Sequence, residues 1–165
     1  MFDKILNEFS TPFYLYNEEA IIAKTKHLKE LDLNFSHKFH FAVKANPNLA
    51  ILNLLKRQDF GAEVVSAGEL FKSLKAGIDP SEVIFDGPGK TEFDLKYAIT
   101  QQIKSINVEN LEEIRIKAEH ARPMQVISTG GLAPLFQTAE TLFDHCEDDL
   151  TMHGLQVIHA HNKNG

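Results

Sequence analysis

Residues 61–85 read GAEVVSAGELFKSLKAGIDPSEVIF, and this stretch decides the fold. A short apolar run, GAEVVS, is followed by an amphipathic run that ends at Gly77, and then by a second apolar run, EVIF. Glycine is the residue most often found just beyond the end of a helix. The stretch therefore predicts a strand, a helix and a second strand, which is the repeating unit of a parallel sheet.

The same alternation of short apolar and longer amphipathic runs extends in both directions along the chain. Further strands are predicted at PFYLY (12–16), FHFAVKAN (39–46) and IKSINV (103–108). Further helices are predicted at 18–30, 47–57, 92–100 and 110–121, with Pro47 in the first turn of the second of these. The sequence thus predicts about five βα units before residue 121.

The chain length limits what these units can build. A complete (β/α) barrel has eight units and needs about 250 residues, whereas this chain has 165. We therefore predict an α/β fold, an incomplete barrel of about five βα units followed by a short α/β tail. Because such a sheet leaves its edges uncovered, we also expect a homodimer or a marginally stable chain.

The composition changes after Ala121. Fifteen of the 17 Lys and Arg residues precede this point, and the last 44 residues contain only Arg122 and Lys163. The tail has a predicted strand at MQVIS (124–128) and a predicted helix at 150–162. These observations predict two domains, 1–121 and 122–165.

Charge and cysteine content exclude several functions. The formal charge is −6 and the basic residues are scattered, so nucleic acid is not an expected partner. Cys146 is the single cysteine, which suits a reducing compartment, and no signal peptide or apolar run of about 18 residues is present. We expect a cytoplasmic protein with no membrane partner. His159 and His161 do not share a helix face, so no metal site is predicted.

The strongest chemical signal is the segment FAVKANP at 41–47, in which Lys44 directly follows an apolar strand. The carboxyl ends of barrel strands are where such folds place their chemistry. Burial at that position favours the neutral amine, which attacks an aldehyde to form a Schiff base. Lys44 is therefore a candidate for covalent binding of a carbonyl compound.

Four segments resemble one known family. TPFYLY (11–16), FAVKAN (41–46), GAEVVSAGEL (61–70) and INVEN (106–110) are similar to motifs of the fold-type III pyridoxal phosphate decarboxylases, with the diaminopimelate decarboxylases as the nearest members. The resemblance covers about residues 8–120. It implies a pyridoxal 5'-phosphate cofactor and a small-molecule substrate, an amino acid.

The resemblance also implies roles for individual residues. Lys44 matches the lysine that forms the Schiff base with the cofactor, and is the expected catalytic residue. Glu63 stands where the family usually has Asp beside the cofactor, and Ser66 and Glu69 match the S-x-G-E-L element near the same pocket. For Glu69, a carboxylate that stabilises a helix N-terminus is an equally good interpretation. The family's later histidine motif, phosphate-binding glycine loop and C-terminal β-domain have no counterpart in this sequence, so slow turnover is expected.

The tail carries a second resemblance. VISTGGLAPLF (126–136) and the D-D-L-T-x-x-G-L element at 148–155 are similar to the C-terminal end of type III pantothenate kinases, over about residues 122–162. That family implies a nucleotide site for ATP at Thr129, Gly130 and Gly131, since two glycines let backbone N–H groups approach an anion closely. The two resemblances together predict a chimera. Its leading function is a decarboxylase-like protein that binds pyridoxal phosphate, and the alternatives are a nucleotide-binding remnant or a noncatalytic fusion product.

Overall fold

The computed structural model describes residues 2–31, 36–108, 127–129 and 145–147, together with residues 113, 156 and 160. The contacts of the chain divide it into two compact units, Met1–Glu109 (unit 1) and Asn110–Gly165 (unit 2). The described part of unit 1 contains a sheet with its helices, and that of unit 2 contains a two-stranded sheet. The predicted boundary at residue 121 lies outside the described residues and stays a prediction.

Unit 1 has five described α-helices, and polar side chains explain where four of them begin. The helices are α1 (Phe2–Glu8), α2 (Glu18–Lys29), α3 (Leu49–Arg57), α4 (Ala67–Lys75) and α5 (Glu92–Thr100). The N-caps of α2 to α5 are Asn17, Asn48, Ser66 and Thr91, each of which accepts a hydrogen bond from a backbone N–H of the first turn. Such a cap satisfies a donor that the helix itself leaves unpaired. Beyond the end of α4, Gly77 has a φ of +91°, as the sequence pattern predicts.

The sheet of unit 1 is parallel throughout. Its strands are β1 (His40–Ala42), β2 (Gly61–Val64), β3 (Val83–Phe85) and β4 (Ser105–Ile106), in the order β1-β2-β3-β4. In the register, Ala42 lies beside Glu63 and Glu63 lies beside Ile84. Because all four strands run in one direction, their carboxyl ends meet at one edge of the sheet, which we call the carboxyl edge.

One face of the sheet forms the core of unit 1 against the helices. The alternating strand residues Ala62, Val64, Val83 and Phe85 are fully buried. They join a single apolar cluster with residues of α3, α4 and α5, including Leu52, Leu70 and Ala98. This packing fixes the strands relative to the helices. It confirms the predicted α/β fold with a parallel sheet.

The strand predicted at PFYLY (12–16) is wrong. Residues 13–17 have no regular secondary structure, and the Tyr14 side chain is 90% exposed. Aromatic and β-branched residues favour strands only where a neighbouring strand and a buried face are available. Among the described residues, this segment pairs with no strand, so its strong β-propensity is overridden.

The predicted start of α3 also needs correction. The sequence placed Pro47 in the first helical turn, but α3 begins at Leu49 with Asn48 as its N-cap. The Asn48 side chain accepts a hydrogen bond from Ala50 N at 2.9 Å, whereas proline offers no side-chain acceptor. The other predicted helices of unit 1, at 18–30 and 92–100, match α2 and α5 within one residue.

Unit 2 contains two short strands that pair in parallel. They are β5 (Ile127–Thr129) and β6 (His145–Glu147), with Ile127 beside His145. β5 overlaps the predicted strand at 124–128, whereas β6 was not predicted because its sequence, His-Cys-Glu, lacks an apolar pattern. Gln156 and Ala160 are helical, as predicted for 150–162. Gly130, Gly131 and the rest of that predicted helix lie outside the described residues.

Within the described part of the chain, no helix has both the length and the apolar character that crossing a membrane requires.

Candidate functional site

The carboxyl edge of the sheet carries polar residues at or just beyond the ends of all four described strands of unit 1. Lys44 follows β1, Ser66 follows β2, Asp86 follows β3 and Asn107 follows β4, while Glu63 lies near the end of β2. In barrels of this kind, this edge is the one that carries the active site. The candidate site is therefore built from loops held by a packed parallel sheet.

Lys44 lies in a short 3₁₀ turn, Val43–Ala45, directly after β1. Val43 is fully buried and anchors this turn in the core, so the next side chain projects from the carboxyl edge. The Lys44 side chain is 61% exposed, and its Nζ lies 3.7 Å from Glu63 Oε1. The position agrees with the sequence prediction, but the burial expected there is wrong for the structure. The amine is open to a ligand that approaches from solvent.

Glu63 contacts Lys44 because of the strand register. It lies beside Ala42 in the neighbouring strand, two residues before Lys44, and its carboxylate is partly exposed. The Glu63 carboxylate reaches to 3.7 Å from the Lys44 amine. The structure therefore brings together two of the residues that the sequence singled out.

Ser66 and Glu69 act on the backbone of the segment Val65–Ala67, which joins β2 to the first residue of α4 and which we call the β2–α4 loop. Ser66 Oγ accepts a hydrogen bond from Glu69 N at 3.2 Å. In return, Glu69 Oε2 accepts one from Val65 N at 3.0 Å. This reciprocal pair closes the start of α4 in the manner of a capping box. The interpretation of Glu69 as a helix-start carboxylate therefore describes its observed contacts, and a direct role at the cofactor stays a prediction.

Sequence reasoning missed Asp86 and Asn107. Asn107 Nδ2 donates to Asp86 Oδ1 at 3.1 Å, so the ends of β3 and β4 are joined by side chains as well as by the sheet. The backbone of each residue also extends the ladder, since Asp86 N donates to Val64 O at 2.9 Å and Asn107 N donates to Phe85 O at 2.8 Å. A polar residue directly after each apolar strand was the signal that could have revealed them.

Asp94, in the first turn of α5, was also missed. Its Oδ2 accepts hydrogen bonds from Thr91 N at 2.9 Å and Thr91 Oγ1 at 2.6 Å, while its Oδ1 accepts one from Ala67 N at 2.7 Å. Partial burial alone would raise the pKa of Asp94, but these hydrogen bonds outweigh it and hold the pKa below its usual value. The capping box with Thr91 is readable from sequence, whereas the bond to Ala67, 27 residues away, is not.

The opposite edge of the sheet carries a separate group of charges. Lys38 Nζ lies 2.6 Å from Asp59 Oδ1 and 3.2 Å from Glu82 Oε2. The hydrogen bond with Asp59 raises the pKa of Lys38 and lowers the pKa of Asp59. Burial, followed by the positive charge of Lys104, lowers the pKa of His40. In barrels this edge contributes to stability rather than to chemistry.

Comparison with known proteins identifies the family. The family model described as "Pyridoxal-dependent decarboxylase, pyridoxal binding domain" matches residues 18–129. The chain belongs to this family. Diaminopimelate decarboxylase from Vibrio cholerae is 40% identical over 114 residues, which are 67% of this chain and 27% of that protein. The pyridoxal phosphate cofactor implied by the sequence resemblance is therefore the cofactor of the family.

Solved structures agree with this assignment. A crystal structure of diaminopimelate decarboxylase from Helicobacter pylori, complexed with L-lysine, has a TM-score of 0.70 and 32% identity, and covers 78% of this chain and 34% of that one. The arginine decarboxylase of Paramecium bursaria Chlorella virus shares the fold, with a TM-score of 0.64 at 20% identity over 78% of this chain and 36% of its own. The chain thus spans about 30% of the length of the curated relatives that it matches.

The side chains at the carboxyl edge fit the aldehyde end of pyridoxal phosphate. An aldehyde needs an accessible primary amine, and Lys44 offers one with more than half of its side chain exposed. Glu63 places a carboxylate beside that amine, where it can hold a proton. Among the described residues, no three His, Cys, Asp or Glu side chains form a group that could hold a metal ion. The exposed Lys44 amine, with the Glu63 carboxylate 3.7 Å away, is the feature of this edge that suits an organic carbonyl cofactor.

Proposed function

We propose that this chain binds pyridoxal 5'-phosphate through Lys44 and provides the Lys44 side of an amino-acid decarboxylase site of the diaminopimelate type. The observation that supports this most is the position of Lys44 at the carboxyl edge, with its Nζ 3.7 Å from Glu63 Oε1. The lysine nitrogen would condense with the aldehyde carbon, with the loss of one water. When bound, the cofactor supplies an electron sink for the α-carbon of an amino acid.

The other residues of the site have distinct proposed roles. Glu63 takes up and returns the proton of the Lys44 amine, because its carboxylate is the group placed beside that nitrogen. The Ser66 oxygen accepts a hydrogen bond from Glu69 N, and the hydrogen of the same hydroxyl donates to the cofactor. Glu69 holds the β2–α4 loop through Val65 N. These roles rest on the geometry of the carboxyl edge.

The proposed substrate is a small molecule, an amino acid. The relatives that this chain matches are diaminopimelate decarboxylases, and one of them is complexed with L-lysine. We expect the Lys44 side of the site to take up the cofactor. We expect this chain to decarboxylate slowly, because the family's later histidine motif and phosphate-binding glycine loop have no counterpart in the sequence. Release of carbon dioxide from diaminopimelate at the rate of a full-length relative would contradict the expectation of slow decarboxylation.

Titration with pyridoxal phosphate tests the proposal. The wild-type chain should develop an absorbance band in the visible region that saturates, and Lys44→Ala should not. Lys72→Ala is the matched control, because Lys72 is an exposed lysine on the helix α4. It should titrate like the wild type. No saturable band in the wild-type chain, or the same band in Lys44→Ala, would overturn the proposal.

A nucleotide site in unit 2 is the second candidate, and it rests on the sequence motif alone. Thr129 ends β5, which pairs with β6, while Gly130 and Gly131 lie outside the described residues. If these residues bind ATP, the nucleotide should raise the melting temperature of the wild-type chain, and Gly130→Val should abolish this increase. An unchanged melting temperature at millimolar ATP would count against the nucleotide site. It would favour the alternative that the protein is a noncatalytic fusion product.

A further inference from the structure

Two loops at the carboxyl edge pack directly against each other. One is the β2–α4 loop, Val65–Ala67, and the other is the β3–α5 loop, Asp86–Thr91. Gly87 in the second loop has a φ of +99°, and a Cβ added there would lie 3.4 Å from Val65 Cβ. The contact and the backbone conformation together favour glycine at this position. The position of the β2–α4 loop is therefore coupled to that of its neighbour.

Asp94 joins the two loops through separate carboxylate oxygens. Oδ2 receives both hydrogen bonds from Thr91, at the end of the β3–α5 loop. Oδ1 receives the 2.7 Å hydrogen bond from Ala67 N, at the end of the β2–α4 loop. A cap of α5 alone needs only the contacts to Thr91. The contact to Ala67 is additional, and it reaches the neighbouring βα unit.

The β2–α4 loop is consequently held by two carboxylates, one on each side of Ser66. Glu69 accepts from Val65 N, and Asp94 accepts from Ala67 N. Ser66 lies between these two anchored N–H groups, so its hydroxyl has a defined direction at the carboxyl edge. Hydrogen bonds to an ionised acceptor are stronger than those between neutral groups, which makes the arrangement stiff.

We propose that Asp94 is a positioning residue for the cofactor site, acting through Ala67 N to fix the β2–α4 loop and with it Ser66. This inference rests on the proposed function, in which Ser66 donates to pyridoxal phosphate. Asp94 itself contacts neither the cofactor nor Lys44 in this account. Its effect on the cofactor is therefore expected in affinity, since small displacements of a binding group cost binding free energy.

The variant Asp94→Ala tests the inference against a purely structural role. It removes the carboxylate half of the α5 capping box and the anchor on Ala67 together, while Thr91 Oγ1 can still accept from the backbone N–H of residue 94. The control is the double variant Asn17→Ala/Thr91→Ala, which removes the side-chain cap of α2 and that of α5 but leaves the Ala67 N–H bonded to Asp94. Both variants lose hydrogen bonds that cap helices, so similar shifts of the urea unfolding midpoint are expected. Asp94→Leu, which is close to aspartate in size and accepts no hydrogen bond, serves with the same expected results if Asp94→Ala does not fold.

Two measurements decide the outcome. The dissociation constant for pyridoxal phosphate, measured with fully folded protein, should rise about tenfold in Asp94→Ala and less than about twofold in the control. Hydrogen exchange at the Ala67 amide should accelerate in Asp94→Ala and remain slow in the control. An unchanged dissociation constant in Asp94→Ala, or an equal loss in the control, overturns the inference while the proposed function stands. If the wild-type chain takes up no cofactor, the proposed function fails first and the inference fails with it.

Discussion

At the scale of single residues, the two edges of the sheet use charge differently. At the carboxyl edge, Lys44 and Glu63 form an ion pair that is open to solvent, so it contributes little to stability and is available for chemistry. At the opposite edge, His40 Nε2 is buried, and no hydrogen-bond partner for it exists among the described residues. The Lys44–Glu63 pair is suited to react, whereas the buried His40 makes the stability of the folded chain depend on pH.

His40 leads to a prediction about pH. Burial and the charge of Lys104 lower the pKa of His40 in the folded chain, so between the folded and unfolded pKa values the unfolded chain binds more protons. Stability is therefore greatest above the unfolded value of about 6.5 and falls as the pH drops below it. Urea unfolding at several pH values should show this decline in the wild type and a shallower one in His40→Gln. His27→Gln, at an exposed histidine, is the control and should keep the wild-type decline.

At the scale of secondary-structure elements, close packing at the start of β2 limits what the strand tolerates. A Cβ at Gly61 would lie 2.5 Å from both Glu82 O and His40 Cδ2. The side chain of His40 can move, but the backbone oxygen cannot move without displacing the turn before β3. Gly61→Ala should therefore lower the free energy of unfolding by about 2 kcal/mol.

The control for this prediction is Gly89→Ala. An added Cβ at Gly89 meets no atom within 4 Å among the described residues, and a smaller change of either sign is expected there. Chemical denaturation of both variants at neutral pH gives the comparison. Equal stability of Gly61→Ala and the wild type would show that the two strands pack more loosely than described.

The elements that sequence predicted well are those whose signals are local. Ser66 and Thr91 begin helices through bonds to residues three positions away, and Gly77 ends one through its own backbone conformation. The position of Lys44 was equally readable, because a lysine followed an apolar strand. Contacts between segments that are far apart in the sequence could not be predicted from it. The bond from Ala67 to Asp94 and that from Asn107 to Asp86 depend on strand order and register.

At the scale of the whole molecule, the outer strands of the described sheet in unit 1 determine how the protein behaves in solution. β1 and β4 end the strand order, so each has one edge without a strand partner among the described residues. Large apolar side chains, including Phe71 and Phe93 on the helices, are also exposed. Uncovered strand edges and apolar surface favour association. This is the physical reason for the expected homodimer.

Sedimentation velocity and thermal melting test that expectation together. We expect a dimer at micromolar concentration, or else a monomer that melts at low temperature, because an open sheet buries less apolar surface than a closed barrel. A monomer that unfolds cooperatively at high temperature would contradict this expectation.

The central claim is that Lys44 is the attachment point of pyridoxal phosphate, and one measurement tests it most directly. The chain is incubated with the cofactor, reduced with borohydride to make the lysine bond permanent, digested and mapped by mass spectrometry. We predict that the modification is concentrated on Lys44 at substoichiometric cofactor, with Lys38 and Lys72 unmodified. A modification spread over the exposed lysines, or one that leaves Lys44 unlabelled, would contradict the account.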